Sequence, residues 1–483
     1  MITVQLNKDD FSYDIHSLVK AFFPSENVSV FTAQKAADEP VQLRIYVDYA
    51  PRQVRLAVTG QDQQERQEVF QVDETNRKEM KNLLKQHIYD MLSACTGKTL
   101  PWGTLTGVRP VKLALAMLEQ GMEPQEVETK MKRSYGASGK KIRLSLQIAQ
   151  RERELLKKLD QKKGYSLYIG IPFCPSTCLY CSFTSFPLSV WESRMDDYLG
   201  ALEREIAFTA ESFADRRLNT IYIGGGTPTT LKPHQLDRLL TCLKQSLDCS
   251  ALLEFTVEAG RPDSINKEKL EVLRAHGISR ISINPQTMKQ ETLDLIGRRH
   301  TTAQTVESFH LARSMGFTNI NMDLIMGLPQ ETLADVRHTL EQLKQLTPDS
   351  ITVHSLAVKR AARLQMFKED YAGLTMINTQ EHLDAAAEAC ASMGMVPYYL
   401  YRQKNMAGNF ENVGYAKEGK AGIYNVLIME EKQTIVALGA GSISKRVHPN
   451  GQIERCENVK DVSQYIERIG EMIERKKHLL CDC

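Results

Sequence analysis

From residue 165 onward the chain alternates short β-rich apolar runs with helical runs of a dozen or more residues, and this alternation restricts its fold more than any other feature. The expected strands cover 166–171, 220–223, 254–258, 280–284, 319–324 and 350–354. Strands separated by helices pair in parallel, because each crossover must travel back along a helix, and such crossovers are right-handed. Six units of this kind predict an α/β domain over 165–370, curled into an open, partial (β/α)6 barrel. In such sheets the ligand site lies at the carboxyl ends of the strands.

The flanking regions follow other patterns. Residues 1–160 predict a separate N-terminal α/β domain with no interpretable motif. Within it, 41–49 and 53–59 read as a hairpin across Ala50-Pro51-Arg52. Met80, Leu83, Leu84, Ile88, Met91 and Leu92 fall on one helix face, which Gly97 and Pro101 terminate. A long amphipathic helix is expected over 138–160. Past 370 the alternation stops. A helix near 381–393, a Tyr-rich strand and glycines at 439 and 441 predict a small α+β C-terminal lobe over 371–483, covering the substrate side.

Charge narrows the class of partner. A formal net charge of +2 over 483 residues offers no attraction to nucleic acid or to an anionic membrane. No apolar run approaches the ~18–20 residues needed to cross a bilayer. The first residues reach Asp9 and Asp10 without the basic start and apolar core of a signal peptide, so a cytoplasmic location is expected.

Ten cysteines are present, and three of them, Cys174, Cys178 and Cys181, form Cys-x3-Cys-x2-Cys directly after the first barrel strand. Thiolates are soft ligands suited to zinc or to iron–sulfur clusters. Structural zinc takes four closed ligands, usually from two paired motifs, and no second Cys/His pair follows. Three thiolates on one loop instead suit three irons of a [4Fe-4S] cubane. The fourth iron is left open, and the amino and carboxylate groups of S-adenosylmethionine (SAM) fit that position. Cys95, Cys242, Cys249, Cys390 and Cys456 are expected to pack as small apolar residues, while Cys481 and Cys483 close the chain.

Further motifs follow the later strands. Gly224-Gly225-Gly226-Thr227-Pro228 closes the second, where glycine lets backbone groups approach a ligand closely. Glu258 ends the third strand, placed to accept hydrogen bonds from two ribose hydroxyls. Gln286, Arg298 and Asp323 follow or end the next two.

With its Tyr168-x-x-Ile171-Pro172-Phe173-Cys174 context, the cysteine motif resembles the radical SAM superfamily. The specific likeness is to the oxygen-independent coproporphyrinogen III oxidase family, in its HemZ-type branch with an extra N-terminal domain. The resemblance spans about residues 165–446 and implies a radical SAM barrel with a [4Fe-4S] cluster on Cys174, Cys178 and Cys181. It also implies one or two SAM molecules held by Tyr168, Tyr180, Gly225, Gly226, Thr227, Glu258, Gln286, Arg298, Asp323 and Ala357, with Tyr168 also given a catalytic role. The family reaction is oxidative decarboxylation of two propionates of coproporphyrinogen III, giving protoporphyrinogen IX. It implies a flavodoxin- or ferredoxin-like electron donor. A substrate with four propionates calls for cationic clamps, for which Arg402, Lys404, Lys445 and Arg446 are candidates.

The sequence departs from the family pattern at two places. Phe183 stands where proven dehydrogenases carry a further Cys, and Gly170 where they carry His. Haem-chaperone relatives share the Phe, but their His-Asn-x-x-Tyr-Trp motif is replaced by Ile423-Tyr424-Asn425-Val426-Leu427-Ile428. Two alternatives therefore stand beside decarboxylation: haem binding or trafficking, and another radical SAM reaction on a tetrapyrrole, such as anaerobic haem degradation.

Overall fold

The computed structural model describes residues 1–24, 26–32, 41–60, 64–107, 109–160, 163–359, 361–367, 369–371, 373–403 and 410–480. Lys404, Cys481 and Cys483 lie outside the described residues. The chain divides into two compact units, Met1–Gln150 with Tyr401–Glu411, and Arg151–Leu400 with Asn412–Cys483.

The first unit carries β1 (Ile2–Leu6), β2 (Val28–Phe31), β3 (Leu43–Ala50), β4 (Gln53–Gly60) and β5 (Glu65–Gln71), in the order β2-β1-β3-β4-β5. The expected hairpin is β3–β4, turning at Pro51-Arg52 with Arg52 in the left-handed region (φ 60°). Strict alternation along β3 puts Leu43, Ile45, Val47 and Tyr49 inside. Helix Arg77–Thr96 buries Leu84, Ile88, Met91 and Leu92 in the same core. Asn76 caps its first turn and Gly97, at φ 67°, ends it.

The second unit is built on one eleven-stranded sheet. Its strands are β6 (Gly164–Ile171), β9 (Arg217–Gly225), β10 (Glu254–Glu258), β11 (Arg280–Ser282), β12 (Ile320–Met326), β13 (Ser350–Ser355), β14 (Val396–Tyr401), β15 (Asn412–Ala416), β16 (Thr434–Leu438), β17 (Ile443–Val447) and β18 (Ile453–Glu457). A two-stranded ribbon, β7 (Phe173–Cys174) with β8 (Phe186–Pro187), brackets the cysteine loop.

Strands β6, β9, β10, β11, β12 and β13 lie side by side in chain order, all parallel, with helices between most of them: the expected (β/α)6 pattern. Both faces are covered, so β6 and β9 are buried nearly throughout. Neither end strand pairs with the other. β6 takes β16 in parallel and β13 takes β15 antiparallel, so the barrel stays open.

Two expectations are corrected here. Residues 371–483 do not form a lobe of their own: β14 and β15 extend one edge of the barrel sheet and β16–β18 the other. Open edges carry unpaired N–H and C=O groups, and these strands satisfy them. In addition, Tyr401–Glu411 belongs to the N-terminal unit. There Glu411 accepts from Trp102 Nε1 (2.8 Å) and pairs with Lys141 (2.5 Å), both deep in the interior. Among the described residues no helix is long and apolar enough to cross a membrane.

Candidate functional site

Strand β6 ends at Ile171 and delivers Pro172-Phe173-Cys174 at its carboxyl end. The cysteine loop that follows is tied down at several points. Phe186 N–H donates to Pro172 O (2.8 Å), Leu179 N–H to Ile296 O (2.9 Å) and Ser176 Oγ to Gly297 O (2.9 Å). Arg261, buried and paired with Asp263, donates to both Ser176 O and Ser176 Oγ. These ties hold the three thiols close enough to feel one another's charge. Each thiol also has its own polar neighbour: Thr227 Oγ1 at 3.6 Å from Cys174 Sγ, Arg298 beside Cys178, and the Phe183 N–H at Cys181.

Among the described residues, no three His, Cys, Asp or Glu side chains converge at the spacing of a single metal ion. Three soft donors with cationic and N–H neighbours fit a polynuclear cluster. Of the other cysteines, Cys390 is fully buried and packs as an apolar residue. Cys95 is exposed, contrary to expectation, because it lies on the outer side of helix Arg77–Thr96.

At the end of β9 the glycine turn lies against the cysteine loop. Gly226 N–H donates to Ile171 O and Thr227 N–H to Phe173 O, both at 2.8 Å. A Cβ on Gly226 would sit 2.6 Å from Phe173 O, so no other residue allows this approach. Gly225 has φ 110°, and a Cβ there would point toward the Tyr168 hydroxyl, 3.2 Å away.

Glu258, at the end of β10, accepts a short hydrogen bond from the Tyr222 hydroxyl. Burial pushes its carboxyl up to about 7. The Tyr222 bond and the Gly225 N–H pull it down, while the nearby Asp323 charge raises it. Tyr222 stacks on Tyr424 with ring centroids 4.5 Å apart, and Tyr168 lies 6.3 Å from Tyr222 and 6.2 Å from Tyr424. Helix Ile423–Glu430 brings in Tyr424, and Glu254 holds the first turn of that helix by accepting from Ile423 N–H. Sequence reasoning missed Tyr222, Tyr424 and Arg261. β9 is buried on both faces and carries no period-two pattern, so the inter-strand register was needed to bring Tyr222 beside Tyr168 and Glu258.

Strand β11 ends early, at Ser282, because the chain then leaves its ladder. Gln286 takes a left-handed φ of 68° and bridges to β12, donating its N–H to Asp323 O and accepting from Ile325 N–H, both at 3.0 Å. Its side chain is buried, and among the described residues no donor reaches Oε1. An unpaired buried carbonyl costs about 1–3 kcal/mol, so this oxygen is open to a donor from outside the chain. Burial alone would raise Asp323, but hydrogen bonds from His354, Asn321 and Thr352, with the His354 charge, hold its carboxyl below the ordinary range.

Arg298 is buried, not a surface cation. It donates to Asn284 O (2.6 Å) and lies against Tyr180 and Cys178. Ala357 is half-buried just after β13. The sequence-derived residues thus lie on or just after β6, β9, β10, β12 and β13, with Tyr168 inside β6 and Asp323 inside β12 and not at its end. The thiols fit a cluster, and the glycine cradle, Glu258 and the unpaired Gln286 Oε1 fit a ligand bearing amino, carboxylate and ribose groups.

Of the proposed clamps, Lys404 lies outside the described residues, and the other three have partners within the protein. Arg402 is buried in the N-terminal unit, stacked over Trp102 (5.7 Å) and donating to Leu105 O. Lys445 pairs with Glu431 (3.3 Å), and Arg446 donates to Leu479 O (2.9 Å). At Gly170 a Cβ would meet Leu438 O at 3.4 Å and Tyr168 Cε1 at 3.5 Å, ordinary contacts, so a Cβ is tolerated there.

Comparison with known proteins places these features. Residues 168–343 match the Radical SAM superfamily. The chain is 39% identical over 452 residues to the oxygen-independent coproporphyrinogen-III oxidase-like protein HemZ of Bacillus subtilis, covering 91% of this chain and 90% of that one. It is 33% identical over 309 residues to the heme chaperone HemW of Bacillus subtilis, covering 63% of this chain and 76% of the relative. Among solved structures, the coproporphyrinogen III oxidase HemN of Escherichia coli, a radical SAM enzyme, superposes with a TM-score of 0.51. It is 25% identical, over 66% of this chain and 72% of that one.

Proposed function

The chain belongs to the radical SAM superfamily, among its coproporphyrinogen III oxidase-like members, and from that premise we propose that it oxidatively decarboxylates coproporphyrinogen III to protoporphyrinogen IX. Its cofactors are a [4Fe-4S] cluster and SAM. When bound, they supply one-electron cleavage of a sulfonium C–S bond and hence an oxidant able to take a hydrogen atom from an unactivated carbon.

The protein's own part is to hold, orient and shield. Cys174, Cys178 and Cys181 would hold three irons, and Arg298 beside Cys178 balances the charge of the thiolates. Glu258, when ionised, accepts ribose hydroxyls, and the Gln286 Oε1 accepts a further donor. The backbone of Gly225 and Gly226 lies flat against the cluster loop. The Tyr168, Tyr222 and Tyr424 rings form an apolar wall that keeps water from the reacting carbon. A flavodoxin- or ferredoxin-like protein would deliver the electron. The net change at each propionate is loss of one hydrogen from the β-carbon, cleavage of the bond to the carboxylate as carbon dioxide, and passage of one electron to an acceptor.

The observation that carries the reading is the convergence of the three-thiol loop, the glycine turn, Glu258 and the unpaired Gln286 Oε1 at one end of a parallel sheet. Similarity to HemZ over nine-tenths of both chains supports the tetrapyrrole. The second reading, haem binding without turnover, draws on the similarity to the heme chaperone and on Phe183.

One anaerobic experiment separates them. Reconstituted protein is given SAM and reductant with either coproporphyrinogen III or haem. Protoporphyrinogen IX with 5′-deoxyadenosine is expected. Tight haem binding with no vinyl product, or a methylated or ring-opened haem, would overturn the decarboxylation.

A further inference from the structure

Phe183 lies two residues past the last cluster cysteine, and 70% of its surface is exposed. Its position is not loose, because its own N–H is held at Cys181. An apolar cluster lies close by: Leu179 and Tyr180 of the same loop pack with Leu356, Val358 and Leu364. Leu364 N–H also donates to Leu179 O (3.1 Å), binding the segment after β13 to the cysteine loop. The Phe183 ring stays outside this cluster and instead faces Lys359, whose Nζ stands 5.9 Å from the ring centroid. Lys359 is exposed, is near enough to influence Cys181, and has no carboxylate partner among the described residues. Met366 and Phe367, farther along the same segment, are exposed as well.

A lone exposed Phe is unremarkable on a protein surface. An exposed aromatic ring with an ammonium over it that has no carboxylate partner among the described residues, on the loop that carries the cluster ligands, is a more specific arrangement. Its complement is a planar pyrrole ring carrying a carboxylate side chain.

We infer that Phe183 and Lys359 form the docking point of the tetrapyrrole at the rim of the cysteine loop, the Phe183 ring stacking on a pyrrole face and the Lys359 ammonium pairing with a propionate. This rests on the tetrapyrrole reading above and adds where the substrate is first held. The Phe that replaces the usual Cys becomes a binding group, and a clamp comes from the segment after β13 instead of from Arg402, Lys445 or Arg446. Offset stacking of aromatic rings and an exposed charge pair are each modest, and together they select a ligand with both features.

The test uses the full-length, anaerobically reconstituted protein, with coproporphyrin III and its tetramethyl ester as probes, titrated by absorbance and fluorescence. Phe183→Ala should weaken binding of both probes roughly tenfold. Phe183→Leu, which keeps apolar area without a flat face, should fall between. Lys359→Met should weaken the tetra-acid about threefold and leave the ester unaffected. Both side chains are exposed, so unchanged thermal melts will confirm folding. The inference is overturned if the variants bind coproporphyrin III as the unmodified protein does, or if they slow reduction of the cluster by a flavodoxin while tetrapyrrole binding stays intact. If the unmodified protein binds neither coproporphyrin III nor haem and leaves coproporphyrinogen III unconsumed, the tetrapyrrole reading itself fails.

Discussion

The Tyr222 hydroxyl donates to the Glu258 carboxylate across neighbouring parallel strands, β9 and β10, while the Tyr222 ring lies flat on Tyr424. Burial pushes Glu258 up to about 7, against the downward pull of Tyr222 and the Gly225 N–H. Asp323, Arg280, Tyr168 and Tyr424 are its other charged or titratable neighbours. Below pH 7 the carboxyl is mostly protonated and loses acceptor capacity, so SAM affinity should rise with pH and level off above 7. Below the midpoint the slope should approach tenfold per pH unit, since binding then releases one proton. Tyr222→Phe removes a bond that favours the charged form, so the midpoint should move to higher pH. Equilibrium binding of SAM between pH 5.5 and 8.5 checks this, and an unmoved midpoint in the variant would count against it.

Gly226→Ala should disrupt the site from its backbone outward. The new Cβ would stand 2.6 Å from Phe173 O and 2.8 Å from Phe173 N, both main-chain atoms that cannot swing aside. We expect destabilisation of about 1–3 kcal/mol and a lower iron content after reconstitution. Gly200→Ala is the matching control. It lies within helix Met195–Ser212, where the nearest atom to a Cβ is the flexible Arg238 guanidinium at 3.8 Å. That change should stabilise the protein by about 0.5–1 kcal/mol. Thermal melts of the two variants should move in opposite directions.

Cys178→Ala should abolish SAM cleavage and remove most of the roughly four irons of a cubane. Cys390→Ala should keep the iron, because Cys390 is fully buried and belongs to helix Gln380–Ser392, not to the cluster loop. Iron and acid-labile sulfide assays on oxygen-free protein distinguish the two. Zinc in place of iron in the unmodified protein would contradict the assignment.

Six parallel strands were legible because each is a short apolar run between helical runs, and observed limits such as Gly164–Ile171 and Ser350–Ser355 differ from expectation by one or two residues. The Cys-x3-Cys-x2-Cys loop and the glycine turn were legible because their chemistry is local. The Tyr168–Tyr222 register was not, since helix packing sets how far one parallel strand slides past the next. Tyr424 and Glu411 were hidden for a related reason. Tyr424 reaches Tyr222 from about two hundred residues away in sequence. Glu411 leaves the barrel unit to pair with Lys141, a buried pair with no local pattern to announce it. Arg402 looked like a surface clamp because exposure is the default for Arg, and the buried Trp102 overrides that default.

Glu205 gathers the C-terminal residues onto the barrel, and breaking that arrangement should be costly. Its carboxylate accepts from Lys476 Nζ (2.6 Å), Tyr465 OH (2.6 Å), Gly439 N–H (2.8 Å) and Asn458 Nδ2 (2.9 Å), all fully or nearly fully buried. Ala440 N–H, next to Gly439, donates to Tyr198 OH, which in turn donates to Gly170 O on β6, so the network reaches the strand that leads to the cluster loop. Lys476→Met leaves a buried carboxylate without its counter-charge. Loss of one partner of a buried pair costs about 3–5 kcal/mol. The three remaining donors still solvate Glu205, so the lower part of that range is expected. Lys476→Met paired with Glu205→Gln should recover much of the loss, because no uncompensated charge remains. Melting temperatures of the two single variants and the double variant test this, and simple additivity of the single losses would refute the pairing.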